Sequence, residues 1–450
     1  MTNGECMTSP SQAKPPQQNR FAHLDGLRGW AALLVVVDHG VNGLDYALQT
    51  GRADHASGSW DAWLSGTPFV AIVSGGNVAV CIFFALSGFV LTHAYMRSRQ
   101  SWLALASRRY VRLGIPMLAG CLLSWALLAS GLIHPQHAAA ITGSSWLAGQ
   151  FHQQADLLSA LLEPIRLLAG ATLPPSLDYD SSLWTMPVEA IGSLVLISAF
   201  VSLRYMPGKL AGYAFCAAAL ISAGSYFSLF AFGAAVRLFV TAGDVGELVR
   251  RRWVLAILLV LGLFFATVPD GTNRWTIYNW MGGLAAHVPW PAALWSHSTT
   301  SFWHGIGAAL ILVLVSASRP MQAALSGPVG RFLGRISFPL YVLHLPVLMV
   351  VECDIIVLGH QLGLAPMITG VVSLIALVAV SLAVAAILTP AIEGGAINLS
   401  GWFGRATDAR VKQFLQYCFR ISGMVPAAAV KPQPGTAYID RPPMPRLPGG

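Results

Sequence analysis

The sequence predicts an all-α, polytopic integral membrane protein with about ten transmembrane helices. Three observations carry that expectation. Of the 450 residues, 55% are hydrophobic and 10% are charged, whereas soluble domains carry about 25% charged residues. The mean hydropathy is +0.61, which implies more apolar surface than a water-facing shell can hide. The apolar residues also fall in successive runs of about 20, the length that crosses a hydrocarbon layer.

Taken in order, the runs lie at about 29–48, 68–95, 113–132, 184–203, 210–226, 227–243, 253–268, 302–318, 337–358 and 364–389. Stretch 210–243 is too long for one crossing, and Gly224-Ser225 is its soft point. Segment 274–293 is a weaker candidate because it carries Asn279, His287, Pro289 and Pro291. Segment 155–171 is broken by Glu163, Pro164 and Arg166 and reads as an interfacial helix. Arg97, Arg99, Arg108, Arg109 and Arg112 mark 97–112 as a cytoplasmic loop by the positive-inside rule. Both termini then fall on the cytoplasmic side, as does Arg250-Arg251-Arg252 once 210–243 is split. The expected organisation is a polar segment 1–23, a membrane domain 24–392 and a tail 393–450, proline-rich and disordered after about 425. The first 23 residues lack the apolar core of a signal peptide. Long outer segments at about 46–67, 133–183 and 269–301 suit a substrate-facing vestibule.

The net charge of +8 does not point to nucleic acid. The positive residues sit in short loops and the tail, and no basic and aromatic platform recurs. The six cysteines form no CxxC pair, and four lie in apolar runs. Neither a disulfide framework nor a zinc site is expected. No glycine-rich phosphate loop or GxSxG elbow is present, and no metal is expected.

Polar groups at membrane depth are the functional signal, because each costs roughly 2.5–3.5 kcal/mol there and serves a cavity or a partner. Arg28 and His39 are eleven residues apart in the first run. That spacing is roughly 16 Å along a helix and about 20° from whole turns, so the two share a face. Asp25 lies near that face, while Asp38 points about 100° away from His39 and needs another helix as partner. Glu189 opens the fourth run from the outer side, beside Trp184 and Pro187. It suits a group that positions an acceptor. Arg108, Arg109 and Arg112 suit phosphate binding as well as orientation. Arg335 and His344 bracket a polar-sided stretch of the ninth run, Asn77 is a possible cavity group, and Ser87-Gly88 is a helix-packing pair.

Five blocks in order, FAHLDGLRGWAALLVVVDH, FFALSGFVLT, RRYVRLGIP, LWTMPVEAIG and FLGRISFPLYVLHLPV, span roughly residues 20–390. Together they resemble the acyltransferase 3 family, membrane enzymes that O-acetylate bacterial surface sugars such as O-antigen, peptidoglycan and Nod factor. Phe338-Pro339 departs from the tyrosine and serine common in the last block. The resemblance implies about ten helices, a cytoplasmic acyl-CoA donor (usually acetyl-CoA) and a carbohydrate acceptor at or beyond the bacterial inner membrane. It implies His39 as catalytic residue, with Asp25 and Glu189 beside it, and Arg28, Arg109 and Arg112 as donor-binding residues. Many members carry an extracellular hydrolase-like domain at the carboxyl end. This chain shows a short proline-rich tail there and is expected to act alone or with polysaccharide-biosynthesis partners. The rival reading from Asp38 and His39 is a proton-coupled transporter of a small molecule or glycan precursor.

Overall fold

The computed structural model describes residues 21–45, 67, 69, 72, 75–96, 98–170, 177–203, 206–242, 249–269, 276–286 and 299–422. Among these residues the fold is helical and contains no strand. The helices are α1 (Ala22–Leu44), α2 (Gly76–Tyr95), α3 (Trp102–Ala129), α4 (Pro135–Thr142), α5 (Ser145–Ala148), α6 (Leu157–Ala169), α7 (Thr185–Leu203) and α8 (Gly208–Ile221). They continue with α9 (Tyr226–Ala242), α10 (Arg252–Ala266), α11 (Thr276–Ala286), α12 (Thr299–Ala317), α13 (Arg319–Leu325), α14 (Pro328–Gln361) and α15 (Pro366–Ser422). A short 3₁₀ turn, Ser181–Trp184, leads into α7.

By length and composition, six described helical segments can cross a membrane: α2, α3, the 181–203 segment, α12, α14 and α15. Helices α8, α9 and α10 are apolar but shorter. Helix α1 has 23 residues and carries Asp25, Arg28 and Asp38. The break expected in 210–243 is present. Residues 222–225 form a turn between α8 and α9, and Gly224 takes φ +88°, a left-handed conformation that suits glycine. Segment 155–171 forms α6, capped by Asp156, whose carboxylate accepts from Ser159 N at 2.9 Å, and ended by Gly170 at φ +63°. One side of α6 exposes Leu158, Leu161 and Ile165, while Glu163 is buried and accepts the Tyr179 N–H at 3.1 Å.

Several helix ends differ from the sequence expectation. The first helix runs from Ala22 to Leu44, earlier than 29–48. Its early start comes from close packing, since a Cβ on Gly29 would lie 2.6 Å from Leu333 Cβ and one on Gly334 would lie 2.7 Å from the Asp25 carbonyl carbon. The expected 97–112 loop is helical from residue 102. Ser101 caps α3 by accepting from Ala104 N, so Arg108, Arg109 and Arg112 lie on its first three turns. Helix α15 continues past residue 392 and stays on the bundle: Arg112 binds Glu393 at 2.7 Å, and Ser101 N donates to Asp408 at 2.8 Å. Of segment 274–293, residues 276–286 form α11. The 1–20 region and the tail after 422 lie outside the described residues, as does most of 46–67.

The bundle that matters for function is built from α1, α2, α3, α7, α14 and α15. Helix α1 packs chiefly against α14, α14 against α15, and α15 against α3. Helix α2 packs against α9 through backbone contact, since a Cβ on Gly88 would sit 2.8 Å from Phe230 Cα. The Ser87-Gly88 pair therefore splits its duties: the glycine packs on α9, and the serine hydroxyl, about 100° round the helix, donates to Glu189 of α7. Pro346 lacks an N–H, so the Val342 carbonyl loses the donor four residues on. Gly120 of α3 closes onto that carbonyl, where a Cβ would meet it at 2.6 Å.

Candidate functional site

A cavity of about 750 Å³ opens between these helices. Asp25 and Arg28 line it from α1, and Phe83, Phe84 and Ser87 from α2. Arg109 and Arg112 enter from α3, Glu189 and Thr185 from α7, and Glu393 from α15. Helix α14 contributes Arg331, Arg335, Phe338 and Tyr341. Five of the six site residues read from the sequence thus meet on one cavity. His39 is not among its lining residues.

Three of the five arginines are matched by carboxylates. Asp25 accepts from Arg28 at 3.4 Å, one turn along α1. Arg109 forms a close ion pair with Glu189 and also donates from Nε to Ser193 at 2.9 Å. Ser87 donates to the same Glu189 oxygen at 2.6 Å. Arg112 pairs with Glu393 at 2.7 Å. The Glu189 side chain is 8% exposed and that of Arg109 16%, so each shields the other from an apolar surround. Glu189, which the sequence suggested would face an outer acceptor, is bound instead to α3 arginine in this cavity.

Breaking that pair has a definite expected result. Glu189→Ala should lower unfolding stability by about 3–5 kcal/mol, because it leaves a buried guanidinium without counter-charge. Thermal unfolding of the purified protein reads this out. Glu189→Met combined with Arg109→Met should recover most of the loss. A double variant no more stable than the single one would mean that the pair is not what stabilises this contact.

His39 stands five residues before the end of α1. Its Nδ1 is 2.7 Å from Nε2 of His344 on α14. Its ring stacks on Trp146 of α5 at 5.3 Å between centroids. His344 Nδ1 is 2.8 Å from the Tyr341 carbonyl. A carbonyl only accepts, so His344 Nδ1 carries the proton and neutral His344 presents an Nε2 lone pair. His39 must then donate from Nδ1. The consequence is that His39 Nε2 is the unprotonated nitrogen, and it has no hydrogen-bond partner among the described residues. His39 as a whole residue is half-buried.

Tyr341 joins the two halves of the site. Its ring lines the cavity and its carbonyl orients His344. Its hydroxyl donates to the Ser182 carbonyl at 2.7 Å and accepts from Thr185 at 2.8 Å. Phe83 meets the ring edge-on at 5.5 Å. Tyr341 and Phe83 thus form an aromatic wall of the arginine cavity, and His344 follows Tyr341 by three residues along α14.

Asp38 and Asn77 are not among the residues lining this cavity. Asp38 is buried against Gly76 of α2 and takes a hydrogen bond from Asn42 at 3.4 Å, apart from His39 as its angle on the helix implied. Asn77 joins Tyr226 at 2.6 Å and His304 at 3.0 Å in a hydrogen-bonded cluster. Sequence reading left His344 ambiguous and missed Trp146, Tyr341, Arg331 and Glu393. For His344 a signal existed, a histidine inside an apolar run. For Trp146 none did.

A family model described as the acyltransferase domain matches residues 21–389. An O-acetyltransferase of the fungus Phomopsis amygdali, PaAT-1, is 26% identical, over 79% of this chain and 77% of the relative. No solved structure matches the chain.

Proposed function

The chain belongs to the acyltransferase 3 family, and from that premise we propose that it moves an acetyl group from acetyl-CoA to a hydroxyl of a cell-surface carbohydrate. It then works in a bacterial inner membrane with both termini cytoplasmic. One observation carries this function: an arginine-rich cavity is lined by Tyr341, one helix turn from His344, and His344 in turn holds His39 with its Nε2 unprotonated. Guanidinium groups bind the phosphates of coenzyme A in paired fashion. The pantetheine arm then runs toward the aromatic wall and brings the thioester to the histidine side.

In this mechanism His39 Nε2 takes the proton of the acceptor hydroxyl as its oxygen attacks the thioester carbonyl. The carbon–sulfur bond breaks, the coenzyme A thiolate leaves, and the imidazolium returns the proton to it. His344 holds the reactive tautomer throughout. Arg28 serves the donor, and the Arg109–Glu189 and Arg112–Glu393 pairs fix the cavity wall. The O-acetyltransferase activity in the relative's name supports an acetyl group and an oxygen acceptor.

The test is chemical. Membranes containing the protein, supplied with acetyl-CoA and crude surface glycan, should release free thiol. Mass spectrometry of surface glycans from cells with and without the protein should differ by the acyl mass. Substrate flux across the membrane with no covalent product would overturn the reading in favour of a transporter.

A further inference from the structure

We infer that Arg331 and Arg335 form the outer phosphate subsite of the cavity and hold the 3′-phosphate of the acyl-CoA donor. This rests on the donor reading above and adds to it a role that neither the family resemblance nor the relative's name assigns to these two residues. The cavity lining holds five arginines and three carboxylates, an excess of two positive charges. Arg28, Arg109 and Arg112 each have a carboxylate partner within 4.0 Å. Arg331 and Arg335 have none among the described residues, so the excess resides on them.

Their placement fits the assignment. They are four residues apart near the start of α14, on one face and about 6 Å apart along the axis. Both are exposed, which puts them at the mouth. Tyr341 lies six residues further along α14 at the inner end, about 9 Å deeper. A donor whose thioester points at Tyr341 leaves its adenosine end at the mouth. The 3′-phosphate there is a monoester carrying about −1.5 to −2 charges, which two guanidinium groups neutralise. Arg335 also lies over the Phe332 ring at 5.9 Å, which limits the freedom of its side chain. The same chemistry would suit the phosphate of an anionic lipid headgroup, so the test separates the two sources.

The full-length protein is placed in phosphatidylcholine nanodiscs, and binding of acetyl-CoA and of 3′-dephospho-acetyl-CoA is measured by titration calorimetry. The wild type should bind acetyl-CoA about tenfold more tightly than the dephospho form. The Arg331→Gln, Arg335→Gln double variant should lose that tenfold preference and bind the dephospho form as the wild type does. Lysine at both positions should restore part of the preference. Equal binding of both forms by the wild type, or an unchanged preference in the double variant, would overturn the subsite while leaving the donor reading intact. Absence of wild-type binding to either form would overturn the donor reading and the subsite together. A substitution effect seen only with phosphatidylglycerol in the discs would assign the arginines to lipid and overturn the donor role.

Discussion

His39→Ala is expected to lower acyl transfer by about 10³-fold or more while leaving the protein folded and inserted. A positioned general base supplies about 10²- to 10⁴-fold, and Nε2 is the nitrogen left unprotonated by the His39–His344 bond. Folding should survive because α1 is anchored elsewhere. Gly26 and Gly29 bring its first half against residues 325–334, and Ser144 donates to the Asn42 carbonyl at 2.6 Å near its end. Fluorescence-detected size exclusion checks the fold, and acetyl-CoA-dependent thiol release checks the chemistry. Activity of the alanine variant within tenfold of wild type would remove His39 from the reaction. His39 also has the atoms of a nucleophile. An acyl-imidazole trapped by rapid quench with labelled acetyl-CoA and no acceptor would change its role from base to acyl carrier, with the same residue at the centre.

How much of this could be read from the chain depends on the range of each interaction. The helical class was legible because it is local: runs of apolar residues and a glycine soft point suffice, and the turn at Gly224 follows directly. The positions of Asp25 and Arg28 on one cavity were also legible, since they lie on one helix three residues apart. The charge pairing was not. Glu189 meets Arg109 across 80 residues, and Glu393 meets Arg112 across 281. No spacing rule reaches that far. The same limit explains the one geometric surprise. Helical arithmetic puts Arg28 and His39 on a shared face, but it cannot show that Arg28 lines the cavity while His39 is absent from its lining. Nor could it locate the α1 ends, because positive charge marks an interface, whereas the helix extends wherever backbone contact with α14 holds it.

His344→Ala should cost about 10²-fold in kcat with little change in KM for acetyl-CoA. His344 is not among the residues that line the arginine cavity, so donor affinity should not pass through it. Its role is to accept the His39 Nδ1 proton at 2.7 Å while its own Nδ1 is fixed on the Tyr341 carbonyl at 2.8 Å. Without that acceptor, His39 populates the tautomer with Nε2 protonated, and in that tautomer Nε2 can neither take a proton nor attack. Trp146 still stacks on the ring and keeps its plane, so the defect lies in the proton's position more than in the ring's. His344→Gln provides the discriminating control. A glutamine carbonyl oxygen accepts a hydrogen bond and cannot become charged, so it should recover a substantial part of kcat. A purely packing role for His344 predicts a different pattern, in which both variants lose stability and lose activity alike. Equal kcat in the alanine and glutamine variants, or an effect confined to KM, would therefore refute the tautomer argument even if His39 itself proved essential.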